Sequence, residues 1–399
     1  SMAPDAQPDQ KALESVVERA LALARGGGAT AAEAAVGVST GLSVTVRLGE
    51  VETLEYQRDR SLGVTVYAGQ RKGSASTANL APAAVEETVR KALSIASFTA
   101  ADEYAGLPDA ELMADRLPDL DLSHPWELEA SDAVELARRC EAAALAHDAR
   151  IRNSEGASVA THRKLRVFGN SHGFVGGYPS TSHSVSCVVL GQDRGDMQRD
   201  YWYTAARDWR TLEDVESVGR RAAEKAVRRL GAEKMATRKA AVLFAPELAR
   251  GLIGHFTGAI GGGAQYRRSS FLLDAKGEQV FPEGISLAER PHLRGALGSA
   301  PFDGEGVATR DRELVVAGRL QGYLLDAYSA RKLGLVTTGN AGGVHNLVVH
   351  GEMLDPKSLM RRLGTGLLVT EMMGQGVNPV TGDYSRGAAG FWVENGEIA

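Results

Sequence analysis

The pattern of hydrophobic positions changes twice in the first hundred residues. In KALESVVERALALAR, residues 11–25, apolar residues recur at helical spacing, and the glycines that follow predict a helix ending near Gly26. From residue 36 to 68, apolar positions alternate with polar ones and glycines separate the runs, which predicts an antiparallel meander. Pro82 suits a first helical turn and indicates a second helix.

The middle of the chain contains both patterns. An acidic stretch with prolines and little periodicity predicts a linker at residues 106–130. Ser131 is the expected cap of a helix that runs to about His147, and Thr211 is the expected start of another helix that ends near Gly231. Between these helices, strand-like runs occupy residues 151–160, 163–169, 181–191 and 196–207.

The last part of the chain begins with the apolar run AAVLFA, and Pro246 then indicates a helix. A later helix has three local signals: Asp355 at its cap, Pro356 in its first turn and Gly364 at its end. The runs GLLVTEM and GFWVENGEI predict closing strands. Because helices and mostly antiparallel strands occur in separate runs, we expect an α+β fold of antiparallel sheets with packed helices.

This order of elements predicts three regions and a linker. We expect an N-terminal αβ region with the meander at 1–105, the acidic linker at 106–130, a middle α+β region at 131–235 and a β-rich region at 236–399. The glycine-rich sheet of the last region carries few charges, so we expect it to form the main subunit interface.

Composition and charge exclude several classes of protein. The net charge is −5 without a block of like charge, so the chain is not expected to bind nucleic acid. Cys140 and Cys187 are too few for a disulfide framework or a four-thiolate zinc site. Without a run of 18 apolar residues or a leader pattern in SMAPDAQPDQ, we expect a soluble cytoplasmic protein without a membrane partner.

The histidines do not show a metal-binding or nucleophilic pattern. A His-Glu-x-x-His helix is absent, and His345 and His350 lie five apart in a β-branched run, where their rings point to opposite faces. His172 and His183 flank GFVGGYPSTS, which we interpret as a mobile polar loop or an ordinary hairpin loop. A serine nucleophile in this segment would need one of these rings as its base, and a Gly-x-Ser-x-Gly string is absent.

Two glycine-rich stretches remain. In GGGAQYRRSS, Arg267 and Arg268 either bind a carboxylate or belong to a solvated loop, and the stretch lacks the lysine of a phosphate-binding loop. The second stretch places Asp383, Tyr384, Ser385 and Arg386 after Gly382, among glycines that let another backbone approach. It is either a hairpin with satisfied polar groups or a surface that binds peptides.

Four longer strings resemble the TldD/PmbA family. They are GVTVYAGQRKGSAST, GGGAQYRRSSFLLD, PFDGEGVATRDRELVVAGRLQGYLLDAYSARKLG and TGLLVTEMMGQGVNPVTGDYSRGAAGFWVENGEI. The resemblance runs from about residue 15 to 398 and is closest to the PmbA (TldE) branch, once labelled a modulator of DNA gyrase. Family members continue beyond the equivalent of GFWVENGEI, so the resemblance implies that the region 236–399 lacks its last strands.

The resemblance also bears on the metal. In this family the TldD subunit carries zinc on a His-Glu-x-x-x-His helix, and the similar segment here is PELARGLIGHFTGAIGG. Matching the two places Gly254, His255 and Ala259 at the three motif positions. Gly and Ala have no donor atom, so we expect no catalytic residue and no zinc in this chain, with zinc in a TldD-like partner.

Two functions follow from the resemblance. The first is that of the TldE-like subunit of a heterodimeric zinc metalloprotease for unfolded peptides and leader sequences, in which this chain shapes the substrate chamber and Gly382–Arg386 contact the peptide. The second is that of a stand-alone, homodimeric peptide-binding or adaptor protein without catalysis. A paralogue with the intact zinc helix in the same genome favours the first.

Overall fold

The computed structural model describes residues 7–399, which form two compact units. The first contains the chain up to Leu230 together with Pro291–Thr309, and the second contains Gly231–Arg290 and Arg310–Ala399. The first six residues of SMAPDAQPDQ lie outside the described residues, so the expectation drawn from that segment stays a prediction. Within residues 7–399, no helix is long and apolar enough to cross a membrane.

A six-stranded antiparallel sheet with the strand order β3-β2-β1-β4-β5-β6 forms the centre of the first unit. Strand β1 pairs with β4 from Glu33 opposite Asn170 to Val46 opposite Ala157, so one sheet joins the predicted N-terminal and middle regions. The strands are β1 (Ala31–Arg47), β2 (Glu50–Ala68), β3 (Arg71–Thr77), β4 (Ile151–Asn170), β5 (Val175–Asp193) and β6 (Asp196–Ala206).

Four helices provide the apolar side chains of two core clusters in this unit. They are α1 (Gln10–Gly26), α2 (Pro82–Phe98), α3 (Ala130–His147) and α4 (Val215–Arg228). Helices α1 and α2 share one cluster with β1 and β2, around Leu13 and Leu62, and α3 and α4 share the other with β1, β4 and β5.

Two predicted helix starts were wrong. Helix α3 begins at Ala130, where Glu129 and Asp132 form a capping box, so Ser131 lies inside the helix. Helix α4 begins after Asp214, whose side chain accepts the Ser217 N–H, whereas Thr211 belongs to a short 3-10 turn. In both cases a carboxylate two or three residues from the expected position caps the helix.

The segment 106–130, which the sequence indicates as a linker, is packed within the first unit. Leu107, Leu120 and Leu122 in it are buried. The Thr181 N–H of β5 donates to the Leu122 carbonyl at 2.9 Å. The apolar side chains between its acids therefore anchor this segment to the unit.

Two four-stranded sheets form the second unit. One has the order β10-β9-β8-β11, and the other has the order β14-β13-β12-β7, in which β7 and β12 are parallel. Its elements are β7 (Ala241–Phe244), α5 (Pro246–Ala259), α6 (Gly262–Tyr266), β8 (Ser286–Glu289), β9 (Arg312–Val316), β10 (Arg319–Leu320), α7 (Ala327–Lys332), β11 (Leu347–His350), α8 (Pro356–Leu363), β12 (Gly366–Met373), β13 (Gly387–Glu394) and β14 (Glu397–Ile398).

The expected α+β class is confirmed, since antiparallel strands dominate both units and helices pack on them. The helices predicted from local signals are also confirmed: Pro82 and Pro246 open α2 and α5, and Asp355, Pro356 and Gly364 bound α8. The stretch GGGAQYRRSS, interpreted as a loop, contains the short helix α6.

Glu33 on β1 gives the first unit a measurable pH dependence. The pKa of its carboxyl is raised to about 6, chiefly by burial. The Asp303 carboxylate also raises this pKa, whereas Lys72 and Arg166 lower it. Between about pH 4.5 and pH 6, the Glu33 carboxyl is protonated in the folded state but ionised in the unfolded chain. The free energy of unfolding therefore falls as the pH rises through that range.

We expect Glu33→Gln to raise the free energy of unfolding at neutral pH by roughly 1–2 kcal/mol, because the buried group is then neutral. At about pH 4.5 the variant and the parent chain should be nearly equal. Urea unfolding at both pH values measures the difference. A gain of the same size at both would contradict the assigned pKa.

Candidate functional site

Helix α5, which the resemblance matches to the zinc helix, directly follows strand β7. Ala245 lies between the two elements, and its N–H donates to the Val369 carbonyl of β12 at 3.0 Å. Pro246 occupies the first turn, where a backbone N–H has no partner within the helix. The missing N–H of proline therefore costs no helical hydrogen bond there. Phe256 and Ile260 lie in the core cluster of the unit, which fixes the face that the helix buries.

The three positions matched to the zinc motif lie on different sides of α5. Gly254 is exposed and has open space where a Cβ would stand, His255 is half-buried, and Ala259 is only 2% exposed. Residues five apart on an α-helix are separated by about 140° of rotation, which agrees with this difference. Gly254 and Ala259 have no donor atom, so the helix offers a single imidazole, that of His255, and its present residues do not fit a zinc site.

The segment with the candidate peptide-binding residues is the tip of the hairpin between β12 and β13. Val377 and Tyr384 pair across it, and the Ser385 N–H donates to the Gly376 carbonyl at 2.8 Å. At the turn, the Asn378 side chain accepts the Val380 N–H at 3.0 Å. The hairpin interpretation is therefore correct for the fold of this segment.

Gly382 is required by the way the hairpin tip packs. Its φ is +80°, and a Cβ there would stand 3.1 Å from the Phe271 ring. The Phe271 N–H donates to the Pro379 carbonyl at 2.9 Å, so backbone and ring both hold the tip. Phe271 was not predicted as part of this site. It begins the apolar run FLLD directly after the glycine-rich stretch, which is the feature of the sequence that points to it.

The structure brings together His255 and Tyr384, which the sequence proposed separately. Their rings meet edge to face, with centroids 5.9 Å apart and an interplanar angle of 73°. The Tyr384 hydroxyl donates to Met372 Sδ at 3.0 Å, and the ring still exposes 38% of its surface. We name His255, Met372 and Tyr384 the aromatic surface of the second unit.

The polar residues beside the aromatic surface are held by local bonds; Asp383 and Ser385 are exposed and Arg386 is half-buried. The Thr381 hydroxyl donates to Asp383 Oδ2 at 2.8 Å, and Arg386 Nε donates to the Gly374 carbonyl at 3.0 Å. Across the hairpin, the Asp383 carbonyl accepts the Asn378 N–H and the Ser385 N–H donates to the Gly376 carbonyl. The main-chain N–H and C=O of Tyr384, which lies between these two residues, therefore point away from the hairpin. The aromatic surface thus offers its rings and the outward N–H and C=O of Tyr384 to an extended peptide.

The suggested loop with a Ser–His pair was wrong. Gly176–Ser182 lie in strand β5, and a Cβ on Gly176 would meet the Phe174 and Phe302 rings, so its glycine allows close packing. The buried His183 ring bonds Thr161 Oγ1 through Nδ1 and the His124 carbonyl through Nε2, each at 2.8 Å. Burial lowers its pKa, so this ring is a neutral packing residue.

The two arginines of the glycine-rich stretch make local contacts. Arg268 is exposed and forms an ion pair with Asp274 at 3.5 Å, while the Arg267 guanidinium stacks on the Tyr266 ring at 5.3 Å. Among residues 7–399, no group of three or more His, Cys, Asp or Glu side chains could hold a metal ion.

A buried polar network in the second unit was not found from the sequence. The Glu289 carboxylate accepts the Asn340 amide at 2.7 Å and the His345 N–H at 2.8 Å. Arg312 donates to Asn340 Oδ1 at 3.0 Å, and burial lowers the pKa of its guanidinium. His345 thus belongs to this network, whereas His350 ends strand β11 on the surface.

Comparison with known families assigns the class of protein. Three models of the PmbA/TldA metallopeptidase family match the chain: domain 1 at residues 32–96, the central domain at 123–230 and the C-terminal domain at 237–399. The chain is 51% identical to the Metalloprotease PmbA of Escherichia coli O157:H7 over 392 residues, which cover 98% of this chain and 87% of that protein. The chain therefore belongs to the TldD/PmbA family.

Two further relatives come from one organism. The Metalloprotease PmbA homolog of Haemophilus influenzae is 49% identical over 98% of this chain and 86% of its own length. The Metalloprotease TldD homolog of the same strain is 25% identical over 73% of this chain and 62% of its own length.

The fold has a solved counterpart. The crystal structure of a proposed modulator of DNA gyrase from Bacteroides thetaiotaomicron superposes with a TM-score of 0.91. It is 28% identical and covers 97% of this chain and 88% of that chain.

Proposed function

We propose that this chain is the subunit without zinc of a heterodimeric metalloprotease of the TldD/PmbA family, which acts on unfolded peptides and leader sequences. The observation that carries the proposal is the state of α5: Gly254 and Ala259 offer no donor atom, and Ala259 faces the core. A subunit of a metallopeptidase family with such a helix depends on a partner for zinc and for the attacking water. A TldD-like subunit with an intact His-Glu-x-x-x-His helix is that partner.

The contribution of this chain is to shape the substrate chamber and hold the peptide. The aromatic surface is open, Asp383 and Ser385 beside it expose a carboxylate and a hydroxyl, and the guanidinium of Arg386 is half-buried. Contact through rings and main-chain groups tolerates many side chains, as an enzyme for unfolded chains requires. That Haemophilus influenzae has both a PmbA and a TldD homologue supports a paired assembly.

A mixing experiment tests the proposal. The pure chain, a TldD-like subunit and their mixture are each given an unstructured fluorogenic peptide, and cleavage is expected to require the TldD-like subunit and to be strongest in the mixture. Tyr384→Ala should raise the KM of the mixture about fivefold while leaving kcat within about twofold, because a binding contact is lost. Tyr203→Ala, at an exposed tyrosine of the first unit, is the matched control.

Two outcomes would contradict the proposal. If the chain binds the peptide but adds nothing to any TldD-like subunit, the stand-alone peptide-binding protein is the better description. If Tyr384→Ala and Tyr203→Ala behave alike, the peptide does not contact the aromatic surface.

A further inference from the structure

A small polar pocket in the second unit lies against the glycine-rich stretch GGGAQYRRSS. Helix α6 forms one of its walls, and residues 324–329, which lead into α7, form another. The Gly262 N–H donates to the Leu324 carbonyl at 2.8 Å, which joins the two walls. The pocket has a volume of about 280 Å³. We name this space between α6 and residues 324–329 the α6 pocket.

Two glycines allow the groups around the α6 pocket to approach each other. A Cβ on Gly262 would overlap the Ser329 side chain. A Cβ on Gly263 would stand 2.8 Å from Nη2 and 3.2 Å from Nη1 of Arg267, so the guanidinium lies close to the main chain of Gly263. These glycines therefore hold open the place that the Arg267 side chain occupies at the pocket.

The Arg267 guanidinium has an aromatic partner instead of a carboxylate. Its Nη1 donates to the Tyr266 hydroxyl at 3.2 Å, and its carbon lies 5.3 Å from the centroid of the Tyr266 ring. Among residues 7–399, no carboxylate forms an ion pair with it, whereas the next residue, Arg268, pairs with Asp274. Because a guanidinium has five N–H donors, Arg267 keeps donors for a ligand.

A second ring and a second cation lie beside this pair. The Tyr328 ring packs edge to face on the Tyr266 ring, with centroids 5.9 Å apart. Lys332 Nζ lies 5.6 Å from the Tyr266 centroid and 5.9 Å from the Tyr328 centroid. Asp326 also lines the α6 pocket, but its carboxylate caps α7, where Oδ1 accepts the Ser329 N–H at 2.8 Å. The pocket thus has two cations near one carboxylate that is already engaged.

These groups fit the last residue of a peptide chain. A guanidinium binds a planar carboxylate through two parallel N–H groups. The Asp326 carboxylate in the same pocket disfavours the second negative charge of a phosphate. A terminal residue carries its carboxylate and its side chain on one Cα atom, so the carboxylate can reach Arg267 while the side chain lies against the tyrosine rings.

We propose that the α6 pocket binds the C-terminal carboxylate of a peptide, with Arg267 as the paired donor and Lys332 as a second cation. The inference rests on the proposed peptide-binding role of this chain and adds the end of the peptide as the feature that is recognised. It also separates the two arginines of the glycine-rich stretch, since Arg267 binds a carboxylate and Arg268 belongs to the surface loop.

Two peptides that differ only at the C-terminus test the proposal. An unstructured peptide without Asp or Glu, labelled at its N-terminus, is made as the free acid and as the amide. Fluorescence anisotropy measures its binding to the pure chain, and we expect the free acid to bind about tenfold more tightly. The Arg267→Gln variant should bind both peptides as the parent chain binds the amide. Arg268→Gln, the matched control outside the pocket, should keep the preference.

A third peptide identifies the source of the carboxylate. It is an amide with one internal Glu, and it should bind like the first amide. If it binds like the free acid and loses this gain in Arg267→Gln, the pocket takes side-chain carboxylates and the terminal assignment is wrong. Inorganic phosphate should compete with the free acid no better than acetate at equal ionic strength, and stronger competition would overturn the proposal.

The proposal is also wrong if the parent chain shows no preference for the free acid, or if Arg267→Gln and Arg268→Gln behave alike while circular dichroism shows both folded. Tyr384→Ala separates this result from the proposed function, because it should weaken both peptides equally and keep the preference. A preference that depends on Arg267 supports the pocket even if the mixing experiment fails. Weakening by Tyr384→Ala alone would leave the aromatic surface and refute the pocket.

Discussion

Glu141→Ala is expected to lower the free energy of unfolding of the first unit by about 3–5 kcal/mol. The carboxylate lies on α3 with 1% of its surface exposed and accepts the N–H groups of Leu48 and Gly49, each at 2.9 Å. It also accepts the Ser154 hydroxyl at 2.6 Å. The truncation leaves three donors without their acceptor, and α3 loses its bonds to the β1–β2 turn and to β4.

Urea unfolding followed by tryptophan fluorescence measures this effect, since Trp126, Trp202 and Trp209 all lie in the first unit. Glu135→Ala, at an exposed position of the same helix, is the matched control and should change stability by less than about 0.5 kcal/mol. Equal effects of the two substitutions would contradict the assigned role of Glu141.

Ala259→His is expected to destabilise the second unit by about 2–4 kcal/mol. The position is buried at the end of α5 beside Ile260, so an imidazole there displaces packed side chains and loses its water. Gly254→Ala on the exposed face of the same helix should instead stabilise it by up to about 1 kcal/mol, because alanine favours a helix interior.

The same two positions test whether α5 can become a zinc site. The triple variant Gly254→His, His255→Glu, Ala259→His restores the motif in sequence, but position 259 is buried and has no room for an imidazole in the present packing. We expect it to bind zinc no better than the single variant Gly254→His. Tight zinc binding by a folded triple variant would show that the helix can rearrange to a site that its present backbone does not offer.

Local signals in the sequence predicted the elements whose ends they determine. Proline in the first turn and a cap or glycine at the end located α2, α5 and α8, because these effects act within one helical turn. Ser131 failed as a cap because Glu129 and Asp132 form a capping box that starts the helix at Ala130, which places Ser131 inside the first turn. GFVGGYPSTS was assigned to a loop because close packing by distant rings, which requires Gly176, leaves no local signal.

The candidate site was predictable in its parts but not in its assembly. Resemblance to a family indicated His255, and the glycines around GDYSRG indicated Tyr384, but their contact depends on the packing of a hairpin against a helix. Met372 and Phe271 complete the surroundings of Tyr384 and Gly382, and each lies in a run that looks like ordinary core sequence. The network around Glu289 depends on three distant segments and was missed for the same reason.

The central claim is that this chain carries no catalytic zinc of its own. Metal analysis of the pure chain after equilibration with zinc, together with a peptidase assay on an unstructured peptide, tests it most directly. We predict zinc well below one ion per chain and no cleavage until a TldD-like subunit is added. Stoichiometric zinc with chelator-sensitive cleavage by the pure chain would contradict the account.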